Sequence, residues 1–224
     1  LNALLAWPDC CHEPQSVYWK RERTVLYETD PQFGPDELSP KEADMLEVVQ
    51  ASLAKGKKCL VYTVYTDTRD TTDRLQRLLN AHGIRAAVMR ASVKADERED
   101  WVETQLEKGV QVVICNPELV KTGLDLLAFP TIYFMQTGYN VYTLMQAARR
   151  SWRIGQKEDV EVYFAGYTDT AQQICLELMG KKIAVTQSTS GDMPDSGLDI
   201  LNQSEDSVEV ELAKRLMEKA QASA

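Results

Sequence analysis

Three arginines stand close together in the run Gln-Ala-Ala-Arg-Arg-Ser-Trp-Arg-Ile-Gly-Gln, from Gln146 to Gln156. On a continuous helix, Gln146, Arg150 and Arg153 fall at positions i, i+4 and i+7 and so share one face. A guanidinium keeps its charge and offers forked donors that match phosphate oxygens. The spacing predicts a site for a polyanion, although a solvated basic face with ion pairs is the commoner role of an arbitrary arginine pair.

The elements around this run alternate between short apolar strands and amphipathic helices. Strands are predicted at residues 58–64, 85–89, 110–115, 131–135 and 160–165, and helices at residues 70–81, 94–108, 141–153 and 169–179. This order predicts an α/β doubly wound lobe, in which helices cover both faces of a parallel sheet. Within the helix over 141–153, Val141, Leu144, Ala148 and Trp152 are expected to pack on the sheet and to leave the arginines free.

The chain divides into three parts. Residues 1–38 contain four prolines and are predicted to be an irregular connection with one short helix or strand. Ser39-Pro40-Lys41-Glu42 is a helix start with the residues of a capping box, and it opens the lobe predicted over 39–182. Residues 183–224 are predicted to be an acidic linker, around 187–197, followed by a C-terminal helix from Asp206 with Val208, Leu212 and Leu216 on one stripe.

Composition limits the class of protein. The formal charge of −9 argues against a generally basic surface but leaves room for a local basic track. No apolar run approaches the roughly 20 residues that span a bilayer, so no membrane partner is expected. Five cysteines at irregular spacing indicate reduced, intracellular thiols, and Cys10-Cys11-His12 has no second pair at zinc spacing, so no metal site is predicted. The first residue, Leu1, suggests a piece of a longer protein.

The eleven-residue run resembles motif VI of superfamily 2 helicases, in the form found in Swi/Snf-type translocases. It is followed by the strand-like Val-Glu-Val-Tyr-Phe-Ala, as in that family. Residues 58–63 are similar to motif IV and residues 121–126, Lys-Thr-Gly-Leu-Asp-Leu, to motif V. The resemblance implies the C-terminal, RecA-like lobe of a helicase or translocase, whose partners are DNA, with RNA as an alternative, and the N-terminal lobe of the same protein.

The resemblance also implies roles for single residues. ATP would lie between the two lobes, with Arg153 as arginine finger, Arg150 beside it and Gln146 ordering the interface. Gly123 would allow a close approach of ligand to backbone, and Asp125 would meet the ribose or couple ATP to nucleic acid. The residues expected to hold strand phosphates are Thr63, Ser92, Lys121 and Thr122.

Other features depart from the family. Arg90-Ala91-Ser92 stands in place of Asp-Gly-Ser, and Gly138-Tyr139-Asn140 in place of Trp-Asn-Pro, which favours a divergent, bacterial or phage-derived cytoplasmic protein. The chain has no phosphate-binding Gly-x-x-x-x-Gly-Lys-Ser/Thr loop and no acidic box. ATP and Mg²⁺ are therefore expected to bind mainly to an absent first lobe, and the chain alone is expected to be inactive as an ATPase.

Three other functions are open from the sequence. The lobe could be a scaffold or clamp that binds nucleic acid or a protein without turnover, and its acidic tail would then be the active surface. The Thr-Gly-Leu-Asp-Leu form of motif V slightly favours an RNA helicase. A small-molecule α/β enzyme is the least supported alternative, because neither a dinucleotide loop nor a nucleophile–histidine–acid set is present.

Overall fold

The computed structural model describes residues 1–19, 24–67, 69–121, 123–190 and 205–222. The α-helices in these ranges are α1 (Asn2–Ala6), α2 (Pro40–Ala54), α3 (Thr72–Ala81), α4 (Arg98–Glu107), α5 (Val141–Arg149), α6 (Ala171–Ser190) and α7 (Glu205–Ala222). The strands are β1 (Gln15–Trp19), β2 (Thr24–Thr29), β3 (Cys59–Tyr62), β4 (Ala86–Met89), β5 (Val112–Cys115), β6 (Thr131–Phe134) and β7 (Glu161–Phe164). Short 3-10 helices cover Trp7–Asp9, Ala95–Glu97 and Pro117–Leu119.

Five strands form one parallel sheet in the order β4-β5-β3-β6-β7, and β1 and β2 form a separate antiparallel hairpin. The centre of the sheet is almost wholly apolar, as strands buried on both faces require. Leu60 and Tyr62 of β3 join the apolar cluster on one face, and Cys59 and Val61 join the cluster on the other. The predicted α/β doubly wound lobe is confirmed.

Each face of the sheet is covered by its own helices. Helices α2 and α3 cover one face through Met45, Val49, Leu75 and Leu79. On the opposite face, the cluster includes residues of α1, α4, α5, α6 and α7, namely Leu5, Val102, Leu144, Cys175 and Leu212. Strand β7 lies at the edge, and its Val162, Tyr163 and Phe164 are exposed.

Helix α2 begins as the sequence predicts. Ser39 Oγ accepts a hydrogen bond from Glu42 N–H at 3.3 Å, and Glu42 Oε2 accepts one from Ser39 N–H at 2.9 Å. This reciprocal pair satisfies two backbone donors that a helix N-terminus otherwise leaves open. The capping box is confirmed.

The segment before α2 is more regular than predicted, because it holds α1, a 3-10 turn and the β1–β2 hairpin. It is also fastened to the lobe by buried polar contacts. Lys41 Nζ of α2 lies 2.7 Å from Asp9 Oδ1, and Gln172 Nε2 of α6 donates to Leu5 O at 2.7 Å and to Asp9 Oδ2 at 2.9 Å. Residues 1–9 therefore pack as part of the lobe.

The C-terminal part also differs from the prediction. Helix α6 continues to Ser190, so residues 187–190 of the predicted linker are helical, and residues 191–197 lie outside the described part. Helix α7 runs from Glu205 and buries Val208 and Leu212 against the core, with Leu216 partly packed, as the predicted stripe requires. No helix within the described ranges is long and apolar enough to cross a membrane.

Helix α5 is shorter than predicted, and this changes the arginine geometry. It ends at Arg149, and Leu126 N–H donates to the carbonyl of Arg150 at 3.0 Å. In a continuing helix that carbonyl would accept from Ile154. Arg153 is therefore outside the helix, so the prediction that Gln146, Arg150 and Arg153 share one helical face is wrong.

Candidate nucleic-acid and nucleotide interface

Two loops are joined by a set of hydrogen bonds. One is the loop from Lys121 to Leu127, and the other is the turn from Arg150 to Gln156, which follows α5. Leu126 N–H donates to Arg150 O, and Gln156 Nε2 donates to Leu127 O at 3.0 Å. The sequence-predicted motif V and motif VI segments are thus brought together, as a shared site requires.

Arg150 connects the two loops through its side chain. The residue is only 9% exposed, and its Nη2 donates to the carbonyl of Lys121. Ser151 beside it is fully buried. The guanidinium therefore holds the Lys121–Leu127 loop against the end of α5.

Arg153 has the opposite environment. Its side chain is 47% exposed and forms an ion pair with Asp125, which is 53% exposed. On either side of Arg153, Trp152 is 64% exposed and Ile154 is fully exposed. The prediction that Trp152 packs on the sheet is wrong, because α5 ends before it and the turn directs its side chain to solvent.

The other predicted nucleotide-site residues lie beside these two. Gln146 is half-buried on α5, one turn before Arg150. Gly123 has a φ of +69°, and a Cβ placed there would meet no heavy atom within 4 Å. The open space at this left-handed position fits the predicted close approach of a ligand to the backbone. Thr122 lies outside the described residues.

The residues predicted to contact a nucleic-acid strand divide into two groups by their exposure. Ser92 is exposed in the loop after β4, and Arg98 connects that loop to the next one by donating to Val93 O at 3.2 Å and Leu119 O at 2.7 Å. Ser92 and Lys121 therefore lie on adjacent loops at the carboxyl edge of the sheet. Thr63 lies directly after β3 and is fully buried. A direct contact between Thr63 and a nucleic-acid strand therefore does not fit this structure.

An open pocket of about 340 Å³ lies at the carboxyl ends of β3, β5 and β6. Its lining includes Val64, Asn116, Glu118, Gly138 and Thr143. The strand order reverses around β3, and open α/β sheets bind their ligands in the crevice at such a point. The pocket is therefore a candidate part of the interface.

Sequence reasoning gave no role to Asn116 and Asn140, two polar residues of this pocket. Asn116 Nδ2 donates to Val64 O at 2.9 Å, and Asn116 Oδ1 accepts from Glu118 N–H at 2.9 Å. Asn140 Oδ1 accepts from Thr143 N–H at 2.8 Å and caps α5. The signals were an Asn-Pro pair at residues 116–117 and an asparagine directly before an apolar helix, both typical of capped turns.

Glu118 is the charged member of the pocket. Its Oε2 lies 2.6 Å from Lys121 Nζ, and its Oε1 accepts from Thr143 Oγ1 at 2.7 Å. Burial alone would raise the pKa of this carboxyl, but the hydrogen bonds from Lys121 and Thr143 and the charge of Lys121 outweigh it and lower the pKa. Glu118 is therefore ionised at neutral pH.

No three His, Cys, Asp or Glu side chains in the described part of the chain converge on a possible metal position. In the Cys10-Cys11-His12 run, the His12 ring instead contacts Arg74 Nη2 at 2.6 Å and the carbonyl of Glu37 at 2.9 Å. The five cysteines are free thiols. Arg153, Arg150 and Gln146 are donors that suit polyphosphate oxygens rather than a cation.

The five-stranded parallel sheet with helices on both faces defines a RecA-like α/β lobe. The profile of the family described as helicase conserved C-terminal domain matches residues 41–155. The chain belongs to this family. The resemblance to the C-terminal lobe of Swi/Snf-type superfamily 2 helicases is thereby confirmed.

Individual proteins agree with the family. The chain is 24% identical to the "Uncharacterized ATP-dependent helicase YqhH" of Bacillus subtilis, over 84% of this chain and 35% of that protein. It is 22% identical to "ATP-dependent helicase fft3" of Schizosaccharomyces pombe, over 67% of this chain and 16% of that protein. The chain thus spans about a third or less of these relatives.

A solved structure is similar in fold. The "C-terminal part of Fun30 ATPase domain" superposes with a TM-score of 0.60 at 21% sequence identity, covering 80% of this chain and 58% of that one. At this identity the similarity supports the RecA-like fold. It adds to the family match without assigning a role to any side chain.

Proposed function

We propose that this chain is the second motor lobe of an ATP-dependent DNA helicase or translocase, which works against a first lobe of the same protein. The observation that carries the proposal is the position of Arg153, half-exposed between the exposed side chains of Trp152 and Ile154. Large apolar side chains grouped on a surface loop mark a site that another protein surface covers. A guanidinium in the same loop is then well placed for a phosphate that the other surface brings.

The proposed roles of the nucleotide-site residues follow from their environments. ATP is the substrate whose phosphoanhydride bond is hydrolysed, and Mg²⁺ is held by the first lobe. On closure of the cleft, Arg153 exchanges Asp125 for phosphate oxygens and acts as the arginine finger. Arg150 supports it from the end of α5, and Gln146 orders the interface. Asp125, once released, faces the ribose or the nucleic-acid loop.

The proposed nucleic-acid contacts lie on the neighbouring loops. Ser92, Lys121 and Thr122 would contact phosphates of one nucleic-acid strand, whereas the open backbone at Gly123 would approach the nucleotide. The ion pair between Lys121 and Glu118 is solvent-accessible, so the ammonium can reach a phosphate. DNA is the proposed nucleic acid and RNA the alternative.

A cytoplasmic location belongs to the same proposal and is supported by the free thiols.

The test is the ATPase activity of the longer protein that contains this lobe. Arg153→Ala is expected to lower nucleic-acid-stimulated turnover by about 10³- to 10⁵-fold, as loss of an arginine finger does. Arg215→Ala is the matched control, because Arg215 is a partly exposed arginine on α7 that pairs with Glu211 at 3.1 Å. Near-normal turnover by Arg153→Ala would contradict the proposal.

The same experiment separates the alternatives. Stimulation is measured with duplex DNA, single-stranded DNA and RNA, and stimulation by RNA alone would assign the lobe to an RNA helicase. Binding without turnover in the unmodified protein would indicate the clamp. Turnover by the 224-residue chain alone would contradict the prediction that the phosphate loop lies elsewhere.

A further inference from the structure

A carboxylate lies against the lysine to which we assign a strand phosphate. Glu118 Oε2 is 2.6 Å from Lys121 Nζ, and both side chains keep access to solvent. Lys121 begins the loop that contains Gly123 and Asp125. Any phosphate that binds this ammonium must therefore replace Glu118 or share the ammonium with it.

Glu118 is held more firmly than an ordinary surface carboxylate. Its Oε1 accepts from the hydroxyl of Thr143, a buried residue of α5, at 2.7 Å. Its backbone N–H donates to Asn116 Oδ1 at 2.9 Å, and Asn116 is itself bonded to the loop after β3. Because these contacts do not involve Lys121, the carboxylate stays in place when the lysine side chain moves.

We propose that Glu118 is a positioning residue that competes with nucleic-acid phosphate for Lys121. In the free lobe the ammonium pairs with Glu118, and on binding it transfers to a phosphate, which leaves a fixed negative charge beside the strand. The lost ion pair and the repulsion both weaken binding. A motor that steps along a strand must release it in each cycle, and this carboxylate favours release. The inference rests on the function proposed above.

The expected effect is a change in affinity for nucleic acid. The 224-residue chain is titrated into a labelled single strand of about 20 nucleotides, as DNA and as RNA, at salt between about 50 and 200 mM. Glu118→Gln keeps an acceptor for Thr143 and removes the charge. It is expected to tighten binding by about three- to tenfold at the lower salt, because a pair and a repulsion are removed together.

A matched variant and a double variant make the test specific. Glu211→Gln removes the same charge from a carboxylate that pairs with Arg215 on α7, and it is expected to change affinity by less than about twofold. In a Lys121→Ala background, which should also reduce the salt slope by about 1, Glu118→Gln is expected to tighten binding less than it does with Lys121 in place, because only the repulsion is then removed. Thermal unfolding confirms that each variant is folded.

The outcomes separate this inference from the proposed function. If the unmodified chain binds neither DNA nor RNA, the nucleic-acid part of the proposed function fails. If it binds but Glu118→Gln leaves the affinity unchanged, only the role of Glu118 is overturned. Equal tightening by Glu211→Gln, or tightening that is undiminished in the Lys121→Ala background, also overturns it, because the effect would then be general electrostatics.

Discussion

Arg150 and Arg153 are three positions apart and have different environments. Arg150 is buried and donates to the carbonyl of Lys121, whereas Arg153 is half-exposed and pairs with Asp125. A buried guanidinium that holds a loop contributes to folding, because its loss removes the donor to the partly buried carbonyl of Lys121. An exposed ion pair contributes little. The two arginines are thus expected to differ in their effects on stability.

Urea unfolding of single variants of the chain tests this difference. Arg150→Ala is expected to lower the free energy of unfolding by about 1–3 kcal/mol, since it removes a donor to Lys121 O and leaves a gap at the end of α5. Arg153→Ala is expected to change it by less than about 0.5 kcal/mol. Equal losses for the two variants would mean that the turn after α5 is a single structural unit.

The residue types of this site could be predicted from sequence, but their burial could not. The run from Gln146 to Gln156 identifies the arginines through their chemistry and spacing. The end of α5 is set by Leu126 N–H, which takes the carbonyl of Arg150, and this partner lies 24 positions upstream. Glu118 was missed for the same reason, because its contact with Thr143 spans 25 residues. Long-range contacts of this kind leave no local pattern.

A buried ion pair joins the N-terminal segment to α2. Asp9 and Lys41 are both almost fully buried, and Gln172 of α6 bonds to each of them. Burial raises the pKa of Asp9 and lowers the pKa of Lys41, and their mutual attraction opposes both shifts. Removing one partner leaves a buried charge without compensation.

Thermal or urea unfolding of paired variants tests the cost of breaking this ion pair. Asp9→Asn is expected to destabilise the chain by about 3–5 kcal/mol, because Lys41 keeps its burial and loses its counter-charge. Adding Lys41→Met removes the uncompensated charge and is expected to recover most of that loss. If the double variant is no more stable than Asp9→Asn alone, charge burial is not the cause.

Elements defined by local signals were predicted best. Helix α2 has its capping box at Ser39 and Glu42 and ends before Gly56, which has a φ of +76°. The regular elements within residues 1–38 were missed because the four prolines of this segment indicated an irregular connection, and because the contact of Asp9 with Lys41 joins residues that are far apart in sequence. The extension of α6 to Ser190 was missed because residues 187–190, Gln-Ser-Thr-Ser, have a loop-like composition.

The apolar core on the two faces of the sheet buries groups that titrate in alkaline solution. Burial raises the pKa of Cys115 to about 12 and of Cys59 to about 11. Burial is also the main cause that raises the pKa of Tyr133, whose hydroxyl donates to Asp44 at 2.5 Å. The folded chain therefore keeps protons that the unfolded chain loses above the ordinary thiol pKa of about 9.

Stability is consequently expected to fall as the pH rises above about 9. Between the unfolded and folded pKa values the folded state binds more protons, so each such thiol lowers the free energy of unfolding by up to about 1.4 kcal/mol per pH unit. Urea midpoints measured from about pH 8 to 10.5 are the readout. Cys115→Ala removes one titrating group and should reduce the slope. An unchanged midpoint would mean that these thiols and tyrosines ionise in the folded state.

The overall architecture was predictable because its signals repeat along the chain. Alternation of apolar strands with helices predicts a parallel sheet wherever it occurs, and right-handed crossovers leave few arrangements. The strand order and the pocket around β3 were not predicted, because alternation alone does not say which strands are neighbours. The position of the β1–β2 hairpin was not predicted either, because within the described residues its strands pair with each other and not with the five-stranded sheet.

Strand β7 has a consequence for handling the protein. Glu161 N–H and Ala165 N–H donate to Pro130 O and Phe134 O, so the amides of Val162 and Phe164, with a period of two, point away from the sheet. Within the described part of the chain no strand pairs with this side of β7, and these amides border a row of exposed aromatic and branched side chains, which is a template for strand addition. At high concentration the isolated lobe is therefore expected to self-associate through the open edge of β7. Repulsion between chains of net charge −9 is expected to delay this association most at low ionic strength.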